Sequence, residues 1–138
     1  MCGKLVTVIL PAYNEEDNIQ RASQTIASVL EQENINYELL FVNDGSKDGT
    51  WEKILAEASK NSRVRGVSFS KNFGKESAIF AGLSEARGDC CAVMDTDLQH
   101  PPEKLVEMYR LWQQGAEVVE GVKASRGKES AAHSFAAK

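Results

Sequence analysis

The sequence predicts a Rossmann-like α/β domain: a doubly wound, mostly parallel sheet in a three-layer α/β/α arrangement. Two observations carry that prediction. Short apolar, β-branched runs alternate with amphipathic stretches of helical period along the chain, and polar residues gather directly after the runs. Strands separated by helical stretches of this length imply right-handed crossovers and parallel pairing.

Residues 5–10 (LVTVIL) are continuous, apolar and β-branched, as a strand buried on both faces should be. Ile19, Ala22, Ile26, Val29 and Leu30 then recur at steps of three and four, one face of a helix, with acids preceding it to complement the dipole. Residues 37–42 (YELLFV) read as a second strand. Trp51, Ile54, Leu55 and Ala58 mark a second helix, opened by Asp48-Gly49-Thr50. Residues 64–69 read as a third strand. Ile79, Phe80, Leu83 and Ala86 mark a third helix that stops at Gly88. Residues 90–94 read as a fourth strand. Pro101-Pro102-Glu103 starts a fourth helix that ends near Gly115, and residues 117–121 read as a fifth strand. The main domain is expected over residues 1–122, with residues 123–138 a polar tail that begins an acceptor-side region.

In open parallel sheets, ligands bind outside the carboxyl ends of the strands. Four such ends are polar here: Pro11-Ala12-Tyr13-Asn14-Glu15-Glu16, Asn43-Asp44-Gly45-Ser46, Ser70-Lys71-Asn72-Phe73-Gly74-Lys75, and Asp95-Thr96-Asp97-Leu98-Gln99-His100. The Asp95 and Asp97 pair is the sharpest chemical signal. Residues two apart in extended backbone face the same side, so both carboxylates can meet one cation, and an all-oxygen pair suits Mg²⁺ or Mn²⁺. Alone, such an acidic turn only caps the following helix. Placed after an apolar strand and beside three other polar strand ends, it points to a cation site.

Asp44-Gly45-Ser46 is also ordinary turn chemistry, and Asp48-Gly49-Thr50 can serve purely as a helix cap. Neither role explains Asn43 and Asp44 directly at a strand end, where a carboxylate can accept a base N–H. Lys71 and Lys75 read equally as phosphate partners or as solvated cations. Tyr13 reads as a ring that leans on a nucleotide or packs at the strand edge. His100 reads as structural or catalytic with equal force.

Several functions are excluded. Gly74-Lys75 lacks the upstream glycine of a Walker A loop, no G-x-G-x-x-G follows the first strand, and no G-x-S-x-G elbow occurs. A net charge of -4 over 138 residues argues against a nucleic-acid partner. Cys2, Cys90 and Cys91 have no metal-ligand spacing, and the adjacent pair in an apolar run is expected to be buried thiols in a reducing cytoplasm. No stretch approaches the ~20 apolar residues of a membrane span.

The four runs VTVILPAYNEE (6–16), FVNDGSKDGT (41–50), FSKNFGKESAIFAGL (69–83) and MDTDLQHPPE (94–103) together resemble the family 2 glycosyltransferases of GT-A fold. More narrowly, they resemble the branch that moves a sugar from a nucleotide to dolichyl or undecaprenyl phosphate. The resemblance implies a metal-dependent, inverting transfer with Mg²⁺ or Mn²⁺ and a nucleotide-sugar donor, UDP-linked by default. The implied acceptor is a lipid phosphate or glycan.

By the same resemblance, Pro11, Ala12, Tyr13, Asn14 and Glu15 hold the nucleoside, Asp44 recognises the base, and Asn72 and Lys75 lie near the nucleotide. Asp95 and Asp97 form the D-x-D pair, Asp97 as the direct metal ligand, and Gln99 lies near the sugar or acceptor phosphate. Arg126 meets phosphates. Lys123 stands where the family more often has Arg, without the bidentate fork. Asp97 is the last aspartate of the chain, so the chain is expected to be the donor half of a longer protein, acting at the cytoplasmic face of a membrane through its other parts. A homodimer is compatible with this. A non-catalytic nucleotide-binding module and a sugar nucleotidyltransferase are the alternative readings, the latter disfavoured by a first loop without a Gly-rich, Arg-containing run.

Overall fold

The computed structural model describes residues 4–115. They form two compact units, one running to His100 and one starting at Pro101. The first contains β1 (Leu5–Ala12), α1 (Ile19–Gln32), β2 (Asn36–Asn43), α2 (Thr50–Lys60), β3 (Val64–Ser68), α3 (Lys75–Glu85) and β4 (Cys90–Val93). The second contains α4 (Glu103–Gln113), which follows Pro101-Pro102 as expected and gives way at Gly115, where φ is 113°. Its buried positions are Leu105 and Tyr109, and the Tyr109 ring lies 5.8 Å from that of Trp112.

All strand pairs are parallel, in the order β3-β2-β1-β4. The chain therefore winds outward from β1 to β3, then returns to place β4 on the other side of β1. That reversal is the switch point, and it opens a crevice between the carboxyl ends of β1 and β4. Pro11 sits in the central strand without cost. Met94 N–H donates to the Ile9 carbonyl on the β4 side, so Pro11, two residues on, turns its missing N–H toward a side where the β4 ladder has ended.

The sheet is covered on both faces. Alternation puts Ile9, Val42 and Val67 on one face, where they pack with Ala78 of α3 and with Phe69. Gly82 allows this approach, since a Cβ there would lie 2.5 Å from Ile9 Cγ2. The opposite face meets α2 at Gly66, whose Cβ would fall 2.8 Å from Ile54 and 2.9 Å from Trp51. Val8, Ile9, Leu10, Leu39, Leu40, Phe41 and Val42 are fully buried, which explains the unbroken apolar runs of β1 and β2. α1 ends in a Schellman motif: Asn34 takes φ 57°, its N–H donates to the Glu31 carbonyl, and Ile35 N–H donates to the Leu30 carbonyl.

Two expectations need correction. Cys90 is half-buried and Cys91 exposed, because β4 is an edge strand among the described residues and turns alternate side chains outward. Burial, with the neighbouring Cys91 and Asp89, pushes the Cys90 thiol up to about 11. The third helix ends at Glu85, three residues before Gly88, where Ala86 adopts an extended backbone. The expected fifth strand at residues 117–121, the boundary at 122, Cys2, Lys123 and Arg126 lie outside the described residues. Among the described residues no helix is long and apolar enough to cross a membrane.

Candidate active site

At the switch point, Pro11, Ala12, Tyr13, Glu15, Asp44, Lys75, Asp95, Thr96 and Asp97 line one cleft of about 320 Å³. Eight of the predicted site residues thus converge from four separate strand ends. A larger cavity of about 470 Å³ between α1 and α2 is lined by none of them.

Each wall is held by identifiable bonds. The loop after β1 is stitched to the loop after β2: Asn14 N–H donates to Ser46 Oγ (2.9 Å), and Lys47 N–H donates back to Asn14 Oδ1 (2.8 Å). Asn14 manages this in the left-handed region, at φ 54°, which Asn tolerates better than most residues. Glu15 N–H donates to Thr50 Oγ1 (2.8 Å), and Gly49 N–H donates to Glu16 Oε1 (2.8 Å). Asn14 therefore ties the two loops together without lining the cleft, while Tyr13, which does line it, remains 44% exposed.

Asp44 is 3% exposed and its carboxylate is fully engaged. Phe73 N–H donates to Oδ1 (2.8 Å), Gly74 N–H to Oδ2 (3.0 Å) and Asn72 Nδ2 to Oδ2 (3.1 Å). Asn72 Nδ2 also bonds the Asp44 carbonyl at 3.1 Å. Asp44 and Asn72 are thus one latch between the β2 and β3 ends. Gly45, at φ 68°, makes the latch possible, because a Cβ there would lie 2.2 Å from the Lys71 carbonyl carbon.

On the far wall, Lys75 Nζ pairs with Asp95 Oδ1 at 2.9 Å. Asp97 accepts from Gln99, through Nε2 on Oδ2 (3.0 Å) and the backbone N–H on Oδ1 (3.3 Å). Arg21 of α1 donates to the Asp97 carbonyl at 3.1 Å. Gln99 meets the site through Asp97 and does not itself line the cleft. Lys71 instead lies 5.4 Å over the Phe73 ring.

Sequence reasoning missed three contributors. Thr50 and Ser46 act on the first loop through their hydroxyls, a role their turn chemistry disguised. Thr96, 1% exposed between the two aspartates, lines the cleft with its Oγ1 buried and unpartnered. A buried hydroxyl left without a partner is costly, and its place beside the cleft suits a polar ligand. Asp95 and Asp97 provide two hard oxygen donors, and no group of three or more His, Cys, Asp and Glu set to hold a metal occurs among the described residues. That donor set fits Mg²⁺ or Mn²⁺ completed by water and substrate phosphates, the usual way these ions bind beside nucleotides.

An open parallel sheet with a carboxylate-lined cleft at its switch point defines an α/β fold of the nucleotide-binding type. The family model for glycosyl transferase family 2 matches residues 7–133, and the chain belongs to that family. It is 44% identical over 124 residues, 90% of its length, to an uncharacterized glycosyltransferase of Bacillus subtilis, covering 38% of that protein. It is 38% identical over 124 residues (90% of this chain, 40% of the relative) to the prophage bactoprenol glucosyl transferase homolog of Escherichia coli K12. Against the undecaprenyl-phosphate 4-deoxy-4-formamido-L-arabinose transferase of Aeromonas hydrophila it is 37% identical over 124 residues, 89% of this chain and 38% of the relative. The chain thus spans about two fifths of the length of these relatives.

Solved structures share the fold. Glucosyl-3-phosphoglycerate synthase from Mycobacterium tuberculosis in complex with UDP superposes with TM-score 0.60 at 26% identity, over 77% of this chain and 39% of that one. A mannosyltransferase from Pyrobaculum calidifontis, in complex with GDP-Man and Mn²⁺, gives 0.58 at 27% identity, over 67% of this chain and 27% of that one.

Proposed function

We propose that this chain is the donor-binding part of an inverting glycosyltransferase that moves a sugar from a nucleotide, UDP by default, to a polyprenyl phosphate. The observation that carries the proposal is the cleft itself, in which Tyr13, Asp44, Lys75, Asp95 and Asp97 converge at the switch point. The acceptor class is supported by the undecaprenyl-phosphate and bactoprenol relatives, and the donor class by the UDP complex of the mycobacterial synthase.

In this proposal the nucleoside lies along the β1 loop, with the exposed Tyr13 ring against the base and the Asp44–Asn72 latch shaping that end. Asp95 and Asp97 would hold a divalent cation, which when bound offsets charge developing on the departing diphosphate. Gln99 fixes the Asp97 carboxylate, and Arg21 fixes its backbone. An acceptor phosphate oxygen attacks the anomeric carbon opposite the diphosphate, so one C–O bond forms as the other breaks and the configuration inverts. Most of the rate comes from positioning and from charge placed in advance, since a phosphate needs little help from a base. Lys123 and Arg126 are proposed to meet phosphates on the acceptor side.

The test is transfer of label from UDP-glucose into undecaprenyl phosphate by the full-length protein in vesicles. Label in the lipid with inverted anomeric configuration is expected. Donor consumption without lipid product would remove the acceptor assignment, and failure of every nucleotide-sugar would remove the transferase assignment.

A further inference from the structure

We infer that Lys75 is a place-holding cation for Asp95: its ammonium occupies the carboxylate before the donor arrives, and passes to the donor diphosphate when a divalent cation takes Asp95. The inference rests on the donor-site proposal above and adds a role for one residue of it.

The geometry points there in three steps. Lys75 Nζ lies 2.9 Å from Asp95 Oδ1, and both residues line the cleft. A dication and an ammonium compete for that oxygen, so Lys75 opposes metal at Asp95 and is freed by it. Second, the root of Lys75 is fixed while its side chain is exposed. It is the first residue of α3, directly after Gly74, whose N–H is held by Asp44 and whose φ of 106° turns the chain into the helix. Its side chain is 59% exposed, and an exposed pair of this kind is weak and readily exchanged. Third, the displaced ammonium stays within the cleft beside the N-terminal end of α3, where the helix dipole and a cation together favour phosphate oxygens.

The test uses Lys75→Met in the full-length protein, with thermal midpoint as the check on folding and Lys75→Arg as the charge-retaining control. Two affinities are read by calorimetry: Mn²⁺ alone, and UDP at saturating Mn²⁺. Removing the competitor is expected to tighten Mn²⁺ binding about two- to fivefold. Losing the phosphate contact is expected to weaken UDP roughly ten- to a hundredfold, with Lys75→Arg close to wild type in UDP affinity. The opposite signs are the signature, because damage to the site weakens both. Mn²⁺ affinity unchanged or lowered, or UDP affinity unchanged, with a normal thermal midpoint, overturns the inference and leaves a plain surface ion pair. If the wild type binds Mn²⁺ and UDP and only the variant's pattern fails, the donor site stands without this role for Lys75. If the wild type binds neither, both fall together.

Discussion

The Asp44 carboxylate accepts the backbone N–H of Phe73 at 2.8 Å across 29 residues of sequence, tying the end of β2 to the loop that launches α3. Gly74 N–H and Asn72 Nδ2 complete the tie. Because Lys75 follows directly, the position of one cleft cation depends on an aspartate that is itself buried.

Asp44→Asn keeps the shape of the side chain but replaces an acceptor oxygen with a donor facing a backbone N–H. A loss of about 1.5–3 kcal/mol is expected, the range for hydrogen bonds to a charged group. Urea denaturation measures it. Nucleotide affinity should fall with it, since the wall of the cleft loosens.

Gly45→Ala tests the same latch from the backbone. At φ 68°, with Lys71 and Asn72 backbone atoms 2.2 and 2.3 Å from the new Cβ, the 71–72 segment must move. Destabilisation of at least about 2 kcal/mol is expected, beyond left-handed strain alone. A midpoint equal to wild type in urea would show that the loops are not packed as described.

Thr96→Val separates ligand binding from stability. The Oγ1 is buried without a partner, so an isosteric methyl removes an unmet polar group. Unliganded stability should hold or rise by up to about 1 kcal/mol. UDP affinity should fall several-fold if a donor atom meets that hydroxyl, whereas a purely structural threonine would leave affinity unchanged.

Glu38 governs acid stability at the opposite end of the sheet. Burial raises its pKa, but the Arg87 N–H, the Thr7 hydroxyl and Arg65 together outweigh burial and hold it below the ordinary 4.5. A carboxylate depressed in the folded state contributes stability that is complete above its unfolded value. That contribution is lost as the pH falls from near 4.5 through the lower folded value. Glu38→Gln should therefore lower stability at pH 7 by about 1–3 kcal/mol and flatten its decline below pH 4.5. Denaturation curves at pH 7 and at successively lower pH check both.

The strands were legible because β1 and β2 are buried on both faces and leave unbroken β-branched runs. The cleft was legible because Asp95, Asp97 and the Pro11 loop follow such runs directly. What escaped was every role set by a partner distant in sequence. Asp44 read as a free acceptor, since nothing local announces three donors from the 72–74 loop. The bond that Asn14 Oδ1 accepts from Lys47 N–H spans 33 residues and has no local signal either. The exposure of Cys91 escaped because an apolar run does not tell a central strand from an edge one. The αL turn at Asn34 carried only a single asparagine as its signal.

The proposed metal-dependent nucleotide site is built on Asp97. Its most direct test is calorimetric titration of UDP and GDP into the folded protein, with Mn²⁺ and with chelator, beside Asp97→Ala. Binding of one nucleotide that needs both Mn²⁺ and Asp97 is expected. Binding that ignores chelator and the substitution, or no binding of either nucleotide, would contradict it.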